Sequence, residues 1–313
     1  MRDPARPAPR RHRASVTIGL VLLLGAVPAA AITGPHRVIA GPEDQILPSA
    51  NETYLIWTQS SEGSPNRYHA YGRVLGTGGR FRLNADGTRG FAGGLDPGRN
   101  RAIYQQIDGS SSDLFWFNLD SRTRQKLPAA VNTAKWEWGA RVSSAFVLFL
   151  REAQGETSIW LFDRDTRQAQ KLRTWSSATF FVATGGVGDH YATWTLCGPL
   201  SCAAWFHDTV TEVTRRVPTV NDKAQYAPVI DEVDGSIYFV RSGHSCGASV
   251  GIWVRPVDLS TPAERLVLLP AGIDTDWSMS LERQGDRVDL WFGRHRCGPE
   301  QADIYELRDI TAP

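Results

Sequence analysis

"TSIWLFDRD", residues 157–165, decides how this chain folds. Its four central residues, Ile159 to Phe162, are aliphatic or aromatic, and an Asp-Arg-Asp turn closes the run. Short apolar runs of this kind, bounded by turn residues, read as strands with little exposed surface. The pattern returns as "SDLFWFNLD" (112–120), "SVGIWVRPVD" (249–258) and "QADIYELRD" (301–309). Its aromatic anchors are Tyr71, Phe115, Trp160, Trp205, Trp253 and Tyr305, and the steps from Phe115 to Trp160 and on to Trp205 are 45 residues each.

Two more tracks keep the same period. One is a hydrophobic run ending at Trp57, Tyr104, Phe149, Trp194, Phe239 and Trp291. The other is short: "RFRLN" (80–84), "RQKLP" (124–128), "AQKLR" (169–173), "TRRVP" (214–218) and "LVLLP" (266–270). Its anchors are Leu83, Leu127, Leu172, Val217 and Leu269. A unit of about 45 residues holding several short strands is the size of one four-stranded propeller blade. The turns "LDPGRN" (95–100), "VDGS" (233–236) and "RQGD" (283–286) precede the first track and read as hairpins.

The first two tracks have six members and the short one has five. One period before Leu83 lies Val38, inside "PHRVIA" (35–40), which is close to "TRRVPT" (214–219). The missing outer strand is therefore expected at His36–Ala40, paired with the strand around Tyr305 and closing the ring. An unclosed last blade would leave unpaired N–H and C=O groups along its edge. The expected architecture is all-β: a six-bladed β-propeller with four-stranded blades at about 44–84, 90–128, 135–173, 179–218, 226–270 and 275–309 plus 36–40.

Residues 1–31 stand apart. Arg2, Arg6, Arg10, Arg11 and Arg13 precede an apolar stretch from Val16 to Val27 and the small residues "PAAA" (28–31). This is the pattern of a secretory signal peptide, with an uncleaved anchor as the competing reading. The full chain has a net charge of +1; without the leader it has 29 basic and 32 acidic residues, or −3. A domain of this balance shows no electrostatic footprint for nucleic acid. The expected location is secreted, periplasmic or cell-envelope, as a monomer with no membrane span once the leader is removed. All four cysteines, Cys197, Cys202, Cys246 and Cys297, lie in the exported part, and an even count there points to two disulfides.

The recurring order of an Asp-Gly or Asp-Pro-Gly turn, a hydrophobic strand, "D-I-Y-x-L" or "S-I-W-L-F-D", then "D-x-x-T" and a short strand resembles TolB-like six-bladed β-propellers, a WD40-like repeat type. The resemblance covers about residues 36–309. "GVGDH" (186–190) and "SANET" (49–53) depart from it by lacking the Pro-Asp-Gly turn. TolB-like proteins commonly carry a separate N-terminal partner-binding domain. In this reading the leader takes up the residues ahead of the propeller, which departs from that pattern.

In this arrangement "CGPLSC" (197–202) is a hairpin of the fourth blade, and Cys246 and Cys297 occupy the equivalent hairpins of the fifth and sixth. The expected bridges are Cys197–Cys202 within one hairpin and Cys246–Cys297 between blades. Their loop lengths are worth about 2 and about 4 kcal/mol in the chain-entropy account. A zinc site built from His244, Cys246, His295 and Cys297 is the competing reading of "HSCG" and "HRCG".

The loops that lead into the inner strands share one face with these hairpins and surround the channel mouth. They carry Phe91, Trp136, Trp138, Trp175, Tyr226 and Trp277, together with Arg89, Asn132, Glu137, Asp222, Asp274 and Asp276. An aromatic rim with a few carboxylates suits binding of a protein or glycan outside the cell, with Trp136, Trp138, Trp175, Tyr226, Trp277, Asp274 and Asp276 as the binding residues. The alternative is a glycoside hydrolase or polysaccharide lyase using Asp274, Asp276 and Glu137. No G-x-S-x-G elbow or H-E-x-x-H occurs, and "GTGG" (76–79) reads as a hairpin turn rather than a phosphate loop. No cofactor or metal is expected.

Overall fold

Trp57, Tyr104, Phe149, Trp194 and Phe239 each stand directly opposite an anchor of the second track: Tyr71, Phe115, Trp160, Trp205 and Trp253. The first-track residues of these pairs are all buried. Facing aromatic pairs of this kind stabilise neighbouring strands beyond simple burial. In the sixth unit Trp291 stands opposite Glu306 instead, and the facing aromatic pair lies one residue further on, Phe292 and Tyr305. The 45-residue period is thus the spacing at which one strand pair is rebuilt.

The computed structural model describes residues 33–61, 64–219, 223–243, 246–298 and 301–310. Within them the chain is all-β. Strand β1 spans Thr33–Ile39. It is followed by β2 (Gln45–Ala50), β3 (Tyr54–Ser61), β4 (Ser64–Val74) and β5 (Arg80–Arg82). Next come β6 (Arg89–Leu95), β7 (Arg101–Asp108), β8 (Ser111–Asn118) and β9 (Arg124–Lys126). The third group is β10 (Trp136–Val142), β11 (Phe146–Ala153), β12 (Glu156–Asp163) and β13 (Ala169–Ser176). The fourth is β14 (Phe181–Val187), β15 (Tyr191–Cys197), β16 (Cys202–Asp208) and β17 (Val213–Arg216). The fifth is β18 (Ala224–Asp231), β19 (Ser236–Ser242), β20 (Gly251–Pro256) and β21 (Glu264–Leu268). The last is β22 (Ile273–Gln284), β23 (Arg287–Arg296) and β24 (Asp303–Ile310).

These strands form antiparallel meanders in a β-propeller arrangement. Where the repeat predicts six separate sheets, hydrogen bonding joins the strands into five: four of four strands and one of eight. The eight-stranded sheet contains two meanders linked by a single parallel pairing, Trp136 against Ser112. Ser112 Oγ also donates to the Glu137 carbonyl, which draws the two edges together. The first and last strands share a sheet, in the order β1-β24-β23-β22. Both expected disulfides are present, Cys197–Cys202 across one hairpin and Cys246–Cys297 between two sheets. The sulfurs proposed for zinc are therefore bonded to each other, and His244 lies outside the described residues. The leader and Asp222 also lie outside them. Among the described residues no helix is long and apolar enough to cross a membrane.

The innermost strands share a defect that shapes the centre. Register shifts interrupt β2 between Ile46 and Ser49, β6 between Ala92 and Gly94, and β10 between Trp138 and Arg141. The same occurs in β14 between Thr184 and Val187, β18 between Tyr226 and Val229, and β22 between Thr275 and Met279. Such bulges bend a strand and re-aim its side chains. Close approach at the bulges demands small residues. A Cβ at Gly185 would collide with the Pro228 carbonyl, and one at Gly93 would lie 2.8 Å from the Ala140 carbonyl.

Candidate functional site

The bulges build two cavities around Arg141, which lines both. Its guanidinium is buried and tied to backbone carbonyls. Nε donates to Gly185 O at 2.9 Å, and Nη1 donates to Gly93 O at 2.9 Å and to Ala140 O at 3.0 Å. One side chain thus links three inner strands. Its burial pulls the pKa down to about 10.

On the side where the inner strands begin, a cavity of about 290 Å³ is walled by Phe91, Trp138, Phe181 and Trp277 and floored by Asp276 and Arg141. Ile46 and Leu47 of β2 complete the apolar wall. Trp277 is 44% exposed, Phe181 45%. Their rings meet edge to face at 5.6 Å, and Trp277 packs on Tyr226 at 4.8 Å. Beyond Trp277 lies a second hollow lined by Tyr226, Asp274, His295, Cys246 and the 92%-exposed Leu200. The rim is therefore an exposed apolar ridge between two depressions.

Asp276 keeps contact with the cavity yet is surrounded by protein. Its carboxylate accepts from Leu47 N at 3.1 Å, and from Ser278 N, Ser278 Oγ and Gly293 N at 3.3 Å. Desolvation pushes its pKa up, although these donors oppose the shift. Asp274 Oδ1 accepts from the Tyr226 hydroxyl at 2.6 Å and from Thr275 N at 2.8 Å. Burial first, and Asp274 second, push the Tyr226 pKa far above that of a free phenol, so it stays protonated as the donor.

The other named residues are elsewhere. Glu137 is fully buried; its Oε1 accepts from Arg151 Nε at 2.8 Å and from Thr133 Oγ1 at 2.6 Å. Trp175 sits on the outer strand β13 and packs in the core against Trp194 at 6.3 Å. Trp136 lines a separate surface hollow beside Lys135 and Glu152. Asn132 fixes the backbone of Leu114 and Leu127. Of the seven candidate binding residues, Trp138, Trp277 and Asp276 share the mouth cavity, and Tyr226, Asp274 and Trp277 share the adjoining hollow. Phe181 and Arg141 were not singled out by sequence. Phe181 lies two repeat lengths after Phe91, in "FVATGGV" against "FAGGL". That spacing could have found it.

No family model and no curated protein matches this chain. Its fold is nonetheless shared with solved structures. TolB from Acinetobacter baumannii is similar at TM-score 0.57 and 12% identity, over 88% of this chain and 66% of that one. This chain thus spans about two thirds of that protein. A putative TolB from Agrobacterium tumefaciens gives 0.53 and 13%, over 74% and 83%. An oligogalacturonate lyase from Vibrio parahaemolyticus gives 0.54 and 10%, over 86% and 80%. The chain has the TolB-like β-propeller fold, which proteins of different named activities share.

Proposed function

We propose that this chain is an exported, six-bladed β-propeller that binds a protein or glycan partner through its channel mouth without catalysing a reaction. The count of six takes the two meanders of the eight-stranded sheet as separate blades. β1 then serves as the outer strand of the last. Two disulfides suit an oxidising compartment. The observation that carries the reading is the ridge of Phe181 and Trp277 over an apolar cavity, with Leu200 exposed in the adjoining hollow. Large exposed apolar groups grouped at one concave face are what a partner buries.

The carboxylates favour binding over glycoside cleavage. That chemistry needs two carboxyl groups flanking one bond, roughly 5–10 Å apart. Asp276 and Asp274 open into different cavities, and Glu137 is locked to Arg151. The test is capture from envelope and secreted fractions with the disulfide-intact protein, alongside Trp277→Ala and Leu200→Ser. A partner retained by the parent protein and lost by both variants supports the proposal. Turnover of a polysaccharide that is abolished by Asp276→Asn would replace it with the lyase or hydrolase reading.

A further inference from the structure

Two opposite charges share the floor of the mouth cavity without pairing. Arg141 and Asp276 both line it, yet no ion pair joins them among the described residues. Each is held by backbone instead, Arg141 by carbonyls and Asp276 by amides. They still feel each other: the Asp276 charge opposes the loss of affinity for its proton that burial imposes on Arg141. Around them the walls are aromatic. Two buried opposite charges that line an apolar hollow without pairing cost free energy, which a ligand bearing both complementary charges would offset.

We propose that this cavity binds a free α-amino acid with an aromatic or large aliphatic side chain. Its carboxylate faces Arg141, its ammonium faces Asp276, and its side chain lies among Phe91, Trp138, Phe181 and Trp277. The zwitterion is the smallest chemistry that answers both charges at once, through charge-assisted hydrogen bonds. A simple anion brings no counter-charge for Asp276, and a simple cation brings none for Arg141. The volume of about 290 Å³ suits a ligand of that size. Trp277 closes the cavity toward Tyr226, so ligand and partner would meet at one residue. The inference rests on the mouth being a binding site, but it does not require that a protein or glycan dock there.

Calorimetric titration of the intact, oxidised protein with three ligands tests it: L-phenylalanine, 3-phenylpropionate, which lacks the ammonium, and phenethylamine, which lacks the carboxylate. L-Phenylalanine is expected to bind saturably, with each truncated analogue at least about tenfold weaker, the equivalent of one lost charge-assisted contact. Trp277→Ala should weaken L-phenylalanine binding. Asp276→Asn, checked for an unchanged melting profile, should erase the preference for L-phenylalanine over 3-phenylpropionate. Equal binding of phenethylamine and L-phenylalanine would overturn the proposal in favour of a cation cage. Absence of saturable binding by all three would overturn it outright, while leaving partner capture to stand or fall separately.

Discussion

Arg37 lies directly across the sheet from Tyr305. The same relationship recurs around the molecule: Arg82 faces Tyr71, Lys126 faces Phe115, Lys171 faces Trp160, Arg216 faces Trp205 and Arg265 faces Trp253. In every unit a long cationic side chain on the outer strand faces an aromatic residue on its neighbour. The apolar stem can cover the ring while the charge stays in water. Arg37 adds an ion pair to Asp303 at 2.7 Å. By this measure β1 is built as the outer strand of the unit that ends the chain.

Removing residues 33–40 should therefore weaken the whole domain. Val38 and Ile39 pack with Leu55, Trp57, Trp291 and Ile304, residues from two sheets. Their partial burial is worth about 3 kcal/mol. For a domain of this size that corresponds to a fall in Tm of about 5 °C. Scanning calorimetry of the chain from residue 32 onward, with and without the segment, checks this, and coincident melting would refute the role given to β1.

The architecture was readable because each repeat must rebuild the same facing pairs, and aromatic residues at fixed spacing reveal them. The number of hydrogen-bonded sheets was not readable, because it turns on a single backbone pairing at Trp136. The lining of the mouth cavity was half readable. Trp138, Trp277 and Asp276 follow from their positions at the starts of inner strands. Glu137 looked equally placed, yet its neighbour across the strand, Arg151, turns it into a buried structural partner. Alternation along a bulged strand is broken, so sequence position alone does not say which side chains reach the channel.

The two disulfides should differ in worth. The Cys197–Cys202 bridge closes a separation of 5 residues and the Cys246–Cys297 bridge one of 51. In the chain-entropy account these give about 2 and about 4 kcal/mol. Cys246→Ser/Cys297→Ser should lower Tm by about twice as much as Cys197→Ser/Cys202→Ser. Equal losses in paired melting curves would show that the inter-sheet staple adds nothing beyond local ordering.

Glu282 gives a pH-dependent test. Burial pushes its pKa up, with Asp289, Glu306 and Glu52 adding to the shift and a hydrogen bond from Gln284 at 3.1 Å opposing it. The folded chain holds this proton more tightly than the unfolded chain. Its stabilising contribution is present below the ordinary carboxylate range and is lost as pH rises through the raised folded-state value. Glu282→Gln supplies the neutral form at all pH. The variant should melt several degrees above the parent at pH 7.5 and close to it at pH 4. The same gain at both pH values would mean that charge is not the cause.

Asp96 should matter far more than any surface carboxylate. It comes from the "LDPGRN" turn, and its side chain is fully buried. Arg164, from the turn after β12, grips it through two bonds of 2.9 Å, and Arg101 Nε adds a third at 2.5 Å. Both guanidiniums also lie over the Trp116 ring, at 4.0 and 5.6 Å. Asp96→Asn removes the negative charge and leaves two arginines facing a neutral amide. Breaking a buried pair in this way costs about 3–5 kcal/mol. The exposed pair Lys126–Asp113, at 2.8 Å with the lysine side chain 53% exposed, is the control. Asp113→Asn should cost less than about 1 kcal/mol. Urea unfolding of both variants decides the matter, because comparable losses would place the weight of these contacts in long-range charge rather than in the buried geometry of the Asp96 turn.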